Sequence, residues 1–95
     1  MIIVVATVRV HKGREGEYEA ALGPIMADVR AANPGILFYH TGKAREEPQT
    51  YRVIEAYADQ AAMDAHVASE RLQASLGQLA DFIADLEIRL HDCVA

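Results

Sequence analysis

The segment at positions 2–10, IIVVATVRV, constrains the fold of this chain more than any other feature. It alternates as a β-strand, yet both of its faces carry apolar side chains. The two faces are Val4, Ala6, Val8 and Val10 on one side, and Ile3, Val5, Thr7 and Arg9 on the other. A strand that is apolar on both faces needs cover on both. Helices of a 95-residue chain can cover one face, so the other is predicted to meet a second subunit.

The remaining hydrophobic patterns complete the element order. Apolar residues from position 15 to 32 recur at helical spacing, and the breakers Asn33, Pro34 and Gly35 follow. Strands are predicted at 36–42 and 50–58, then a short helix capped by Asp59 and a longer one capped by Ser69. A last strand carries Leu86, Ile88 and Leu90 on one face.

This order, β-α-β-β-α-β, predicts an α+β fold of the ferredoxin-like type. We expect a single domain over residues 1–95, with a four-stranded antiparallel sheet and helices on one face. The partner predicted for the open face is a second copy of the chain, which gives a homodimer.

The segment YRVIEAYADQAAMDAHV, positions 51–67, carries the groups best suited to chemistry. Tyr51, Glu55 and Tyr57 share one strand face, and His66 follows on the short helix. If helices cover that face, Glu55 is buried and needs a partner. If it is the dimer face, Glu55 can pair across the interface with an arginine: Arg9, Arg52 or Arg89.

Each of these groups also has a structural interpretation. His66 can be a partly buried histidine that bonds a backbone carbonyl, and Glu55 can belong to a structural ion pair. The tyrosines can serve only as cross-strand packing. Tyr39 and Phe38 point to opposite faces of the neighbouring strand, so only one of them can join the cluster.

Composition excludes several functions. A formal net charge of −5 and scattered basic residues argue against nucleic-acid or anionic-membrane partners. The apolar start is too short to span a bilayer, and a single cysteine, Cys93, fits a reducing, cytoplasmic setting. The four histidines lack metal-ligand spacing, and no Gly-rich phosphate loop occurs, so neither a metal nor a cofactor is predicted.

Four features together resemble the antibiotic biosynthesis monooxygenase family of dimeric α+β barrels. They are the start VVATVRVHKGREGEYEAAL, the turn NPGILFY, the segment EAYADQAAMDAHVAS and the element order. The resemblance covers essentially the whole chain. The strand glutamate of the family, the aromatic residue two positions later and the helical histidine match Glu55, Tyr57 and His66.

Departures from the family pattern narrow the activity that the resemblance implies. The strand aromatic, commonly Trp in the family, is Tyr57. Haem-degrading relatives carry a ligand histidine in the last helix and an asparagine on the first strand. This chain has Leu72, Ser75, Leu76 and Leu79 in that helix and Ala6 and Thr7 on that strand, which disfavours haem breakdown.

The resemblance therefore implies a cofactor-independent monooxygenase acting on a quinol or polyphenol-like aromatic small molecule. In this hypothesis His66 is the base or its relay, Glu55 its orienting or charge partner, and Tyr57, Tyr39, Tyr51 and Met63 position the ring. Two alternatives stay open. One is an isomerase of a small hydroxyketone, of the quorum-signal breakdown type, and the other is a non-catalytic dimer that binds a small hydrophobic molecule.

Overall fold

The computed structural model describes all 95 residues. The strands are β1 (Ile2–Val10), β2 (Ile36–Lys43), β3 (Thr50–Tyr57) and β4 (Ile83–Asp92). The helices are α1 (Glu15–Ala32), α2 (Gln60–Val67) and α3 (Glu70–Leu79), and a 3₁₀ turn at Ala80–Phe82 leads from α3 into β4. None of the helices combines the length and apolarity needed to cross a membrane.

The four strands form one antiparallel sheet in the order β2-β3-β1-β4. This confirms the ferredoxin-like α+β prediction, with the second helical region split into α2 and α3 at Ser69. β1 is a central strand, between β3 and β4. Its alternate residues Val4, Ala6, Val8 and Val10 are buried beneath the helices.

The register of the sheet arranges the helix-covered face in cross-strand rows. One row runs from Tyr39 on β2 through Glu55 and Val4 to Leu90 on β4. Parallel to it, Val53, Ala6 and Ile88 form the next row. Residues of β2, β3 and β1 in these rows are mostly buried, whereas those of β4 are exposed. The helices therefore cover three strands and leave the β4 edge open.

The opposite sheet face has no cover within the chain. Its centre is apolar, with Ile3, Val5 and Ile54 only partly buried and Phe38 47% exposed. Charged and polar residues flank this centre, among them Arg52, Glu87 and Arg89.

Short-range capping fixes the position of α2 and α3. The Asp59 side chain accepts a hydrogen bond from the Ala62 N–H at 2.8 Å, which satisfies a free donor at the start of α2. Ser69 Oγ accepts from the Leu72 N–H at 3.2 Å and donates to the His66 carbonyl at 2.7 Å. Ser69 thus ties the end of α2 to the start of α3, and both predicted caps are confirmed.

Helix α2 also rests directly against the start of β2. A Cβ atom placed on Gly35 would lie 2.6 Å from the Cβ of Ala62. Only a glycine at position 35 allows this approach of helix and strand.

We predict that Gly35→Ala destabilises the fold by about 1–3 kcal/mol, because the added methyl must push α2 away from the strand. Gly42→Ala is the matched control, since a Cβ there meets no atom within 4 Å. Urea denaturation of both variants measures the effect. Equal midpoints for the two variants would contradict the close contact.

Candidate active site

A cavity of about 220 Å³ lies between the sheet and all three helices. Of its 22 lining residues, 19 are hydrophobic, so a molecule inside it is largely shielded from water. The three polar residues in the lining are Glu55, His66 and Ser75. The Ser75 hydroxyl already donates to the Arg71 carbonyl at 2.8 Å, which leaves Glu55, His66 and the tyrosine hydroxyls of the lining as the groups able to act on a ligand.

Glu55 lies on the helix-covered face, buried to 9% exposure, and so cannot pair with an arginine on the open face. Its carboxylate accepts a short hydrogen bond from the Tyr57 hydroxyl, two positions along the same strand. The structure therefore gives the buried carboxylate a tyrosine partner. Glu55 has no hydrogen bond to His66, the pairing that the sequence suggested.

Burial controls the protonation of this pair. It raises the pKa of the Glu55 carboxyl above its ordinary value, and the hydrogen bond from Tyr57 offsets part of the rise. The pKa of the Tyr57 hydroxyl is also raised, first by burial and then by the adjacent carboxylate. Glu55 is thus a stronger base than an exposed carboxylate, while Tyr57 keeps its proton.

His66 projects from α2 into the same region and is 3% exposed. Its ring lies 5.5 Å from the Tyr39 ring, edge on, and 5.9 Å from the Tyr57 ring, measured between centroids. Burial lowers the pKa of His66 below its ordinary value of 6.5, so the ring is neutral at neutral pH.

The Nδ1 atom of His66 is the one buried side-chain nitrogen or oxygen without a hydrogen-bond partner. A buried polar atom without a partner costs about 1–3 kcal/mol. Because Nδ1 is out of contact with solvent, only other atoms of the ring can reach a molecule in the cavity.

Most of the other predicted site residues also line the cavity. Tyr39 is 7% exposed and stands opposite Glu55 in the sheet register, and burial raises the pKa of its hydroxyl. Met63, from α2, packs with Val4 and Tyr57.

Tyr51 lies elsewhere. It is buried against the Tyr18 ring at 4.8 Å, and its hydroxyl donates to Glu19 at 2.6 Å. Tyr51 contributes nothing to the lining of the cavity, although it shares a strand face with Glu55.

Sequence reasoning missed two groups of lining residues. Tyr18 of α1 is 1% exposed, and burial raises the pKa of its hydroxyl to about 12. Its helical stripe indicated a core position but not a cavity. The second group is the aliphatic wall formed by α3 and β4: Leu72, Leu76, Leu79, Ile83, Leu86, Ile88 and Leu90. The sequence showed these residues as periodic leucines. That pattern predicts an apolar face, but it does not tell whether the face packs fully against the sheet or borders a cavity.

No three histidine, cysteine or acidic side chains are grouped so that they could hold a metal ion. The predicted absence of a cofactor stays a prediction.

Fold and site define the class of this protein: a ferredoxin-like protein with an apolar cavity between helices and sheet that contains a buried carboxylate and a neutral histidine. Residues 1–78 match the family described as antibiotic biosynthesis monooxygenase, and the chain belongs to that family. Membership supports a monooxygenase-like function in general terms.

Solved structures agree with this assignment. A candidate antibiotic biosynthesis monooxygenase from Caulobacter crescentus is 29% identical with a TM-score of 0.93, covering 99% of this chain and 90% of its own. Proteins described in the same way come from Deinococcus radiodurans, at 20% identity and a TM-score of 0.90, and from Nitrosomonas europaea, at 14% and 0.90. The former match covers 100% of this chain and 94% of the other, and the latter covers 100% of both.

At these lower identities the likeness shows the fold alone. A comparison with curated proteins gave no match.

The lowered pKa of His66 predicts a pH-dependent stability. Below pH 6.5 the unfolded chain binds a proton at this histidine more readily than the folded chain. The free energy of unfolding therefore decreases as the pH is lowered. Well above pH 6.5 neither state is protonated there and the contribution is flat. We expect the wild type to lose more stability between pH 7.5 and 5.5 than His66→Ala does.

Chemical denaturation at both pH values measures this difference. His11→Ala, at an exposed position just after β1, is the control and should keep the wild-type dependence. An identical pH dependence in wild type and His66→Ala would contradict a neutral, buried His66.

Proposed function

We propose that the protein is a cofactor-independent monooxygenase acting on a quinol or polyphenol-like aromatic small molecule. The observation that carries the proposal is that a buried carboxylate of raised basicity and a neutral histidine line the same, largely apolar cavity. Membership in the monooxygenase family supports the same class of reaction.

The chemistry needs no other reductant, because the substrate supplies the electrons. Removal of a phenolic proton gives an electron-rich anion that reacts with O₂ at a ring carbon. One oxygen atom forms a C–O bond, and the O–O bond breaks to release the other atom as water. A quinol thereby becomes a hydroxyquinone, and its four electrons account for the reduction of O₂. The protein has to supply a base, a surface that holds the ring, and dryness.

Charge balance favours Glu55 as the base. When the Glu55 carboxylate takes the proton, the negative charge moves to the substrate and no further charge is created in the cavity. When neutral His66 takes it, an imidazolium and a phenolate both form beside the carboxylate, and burying additional charges is costly. This division of roles reverses the one expected from sequence, where His66 was the base and Glu55 its partner.

His66 then acts as a neutral hydrogen-bonding group for the substrate oxygen. The ring lines the cavity and carries no charge, so it can hydrogen-bond the substrate oxygen without adding a charge to the site. Tyr57 keeps its proton and holds the Glu55 carboxylate in place through their hydrogen bond. Tyr39 and Met63 form part of the wall against which the ring packs.

The two alternatives predict different assays. An isomerase of a small hydroxyketone would use the same acid–base groups without consuming O₂, and a binding protein would show no turnover. The lining contains no lysine or arginine and 19 hydrophobic residues, which suits an aromatic ring better than a small polyol-like ketone. Oxygen uptake with a panel of quinols, and proton exchange with a panel of hydroxyketones, separate the three.

We predict that Glu55→Gln lowers the rate of quinol-dependent oxygen uptake by about 100-fold or more, the usual weight of one positioned acid–base group. The amide keeps the shape of the side chain, so binding of the quinol under anaerobic conditions should persist. Glu19→Gln is the matched control, because Glu19 accepts from Tyr51 as Glu55 accepts from Tyr57, but outside the cavity.

Variants of His66 and Tyr57, with Tyr51→Phe as their control, test the other roles. His66→Ala should also lower the rate by about 100-fold, because it removes a hydrogen-bonding group at the oxygen where charge develops. Tyr57→Phe keeps the ring and should reduce the rate with little effect on binding. Tyr51→Phe should leave the rate unchanged. Wild-type rates per folded molecule in Glu55→Gln, or a matching loss in Glu19→Gln, would refute the assignment of the base.

We also propose that the uncovered sheet face is the interface of a homodimer. The apolar centre formed by Ile3, Val5, Ile54 and Phe38 is left in contact with solvent in a single chain, and a second copy would bury it. The charged residues at its margins, such as Arg52 and Glu87, suit the polar rim of such an interface.

Light scattering at micromolar concentration should therefore give twice the mass of the chain. Val5→Asp should shift the protein to the monomer, because a carboxylate would be buried without a partner in the interface. Ala20→Asp, exposed on α1, should not. A monomeric mass for the wild type would exclude the interface.

A further inference from the structure

The cavity is not closed at the β4 edge of the sheet. Five of its lining residues are also exposed, at fractions between 41% and 58%. They form an apolar rim around the opening: Val67, Leu76, Leu86, Ile88 and Leu90. Solvent-exposed aliphatic side chains in such a continuous group are typical of a binding surface.

The groups able to hydrogen-bond a ligand lie at the opposite end. Glu55 and Tyr57 are on β3, Tyr39 is on β2, and the His66 ring packs against both tyrosines. The register places Val4 between Glu55 and Leu90 in one row, so the polar end and the rim are two strand spacings apart, about 10 Å. A single hydroxylated ring bonded at Glu55 spans most of that width.

The volume limits what the cavity can enclose. A cavity of about 150 Å³ lined by aliphatic and aromatic side chains accommodates benzene. At about 220 Å³, this one has room for one substituted ring and little more. Anything attached to the far side of the ring must leave through the opening, where it meets only the aliphatic rim.

We propose that the ligand of this cavity is amphiphilic: a single hydroxylated aromatic ring that carries an unbranched aliphatic tail, with the ring at Glu55 and His66 and the tail along the rim. This inference rests on the proposed function in taking the cavity as the substrate site, and it adds the class of substrate. The rim contains no charged or hydrogen-bonding side chain, which excludes a sugar or phosphate as the outer part of the molecule.

Binding of 4-alkylphenols tests the proposal, with ethyl to hexyl tails, measured by calorimetry. These probes have the head and the tail but lack the second hydroxyl of a quinol, so their binding does not depend on oxygenation. In the wild type we expect the Kd to fall about twofold for each added methylene. Complete burial of a methylene would lower the Kd about fourfold, and the rim is half exposed, so about half of that free energy is expected.

Two leucine variants locate the effect. Leu90→Asn should remove most of the dependence on chain length, since Leu90 belongs to the rim and is 58% exposed. Leu37→Asn, an equally exposed leucine at 55% outside the cavity, should keep the wild-type dependence. A Kd that does not change with tail length in the wild type, or an unchanged slope in Leu90→Asn, would overturn the proposal.

A loss of self-association in Leu90→Asn, together with a Kd independent of tail length, would also overturn it and assign the rim to a contact between subunits. Oxygen uptake with methylhydroquinone tests the proposed function separately. Turnover of that short quinol, with no gain in binding from longer tails, would support the oxygenase activity and overturn the proposal of an amphiphilic substrate. Tail-dependent binding without oxygen uptake would support the amphiphilic ligand and overturn the oxygenase activity.

Discussion

One hydrogen bond, from the Tyr57 hydroxyl to Glu55, allows a carboxylate to lie in the apolar interior of this protein. A carboxylate beneath three helices would be strongly destabilising without a donor, and the donor comes from the same strand face two residues away. The arrangement needs no helix to supply a partner. The space above Glu55 is therefore left for a cavity instead of being filled by a buried cation, and the carboxylate keeps its raised basicity.

Sequence patterns predicted the fold well because each strand, helix and cap is determined by residues close together in the sequence. Alternation and helical spacing set the order of strands and helices, and the caps at Asp59 and Ser69 stood next to the helices they begin. The alternation of β3 put Tyr51, Val53, Glu55 and Tyr57 on one face, and the structure agrees. Which face the helices cover was undecided, since alternation alone cannot tell inside from outside.

The site was harder to predict because it depends on distance along the sheet and on packing. Tyr51 and Tyr57 share a face, but they lie six residues apart and meet different neighbours: Tyr18 and Glu19 for one, Glu55 and His66 for the other. The exposure of Leu86, Ile88 and Leu90 could not be read from their periodicity either. It arises because the helices stop short of the β4 edge.

The strand order has a consequence for how the chain folds. β1 is translated before both of its partners, since it hydrogen-bonds only to β3 and β4, with pairs as distant in sequence as Ile2 and Asp92. Contacts of such high sequence separation form late and slow the folding of a small domain. Until β4 emerges from the ribosome, the apolar strand IIVVATVRV keeps one edge unpaired, and such edges recruit other chains. During synthesis, β1 is thus an edge open to pairing with another chain until its own partner strand is available.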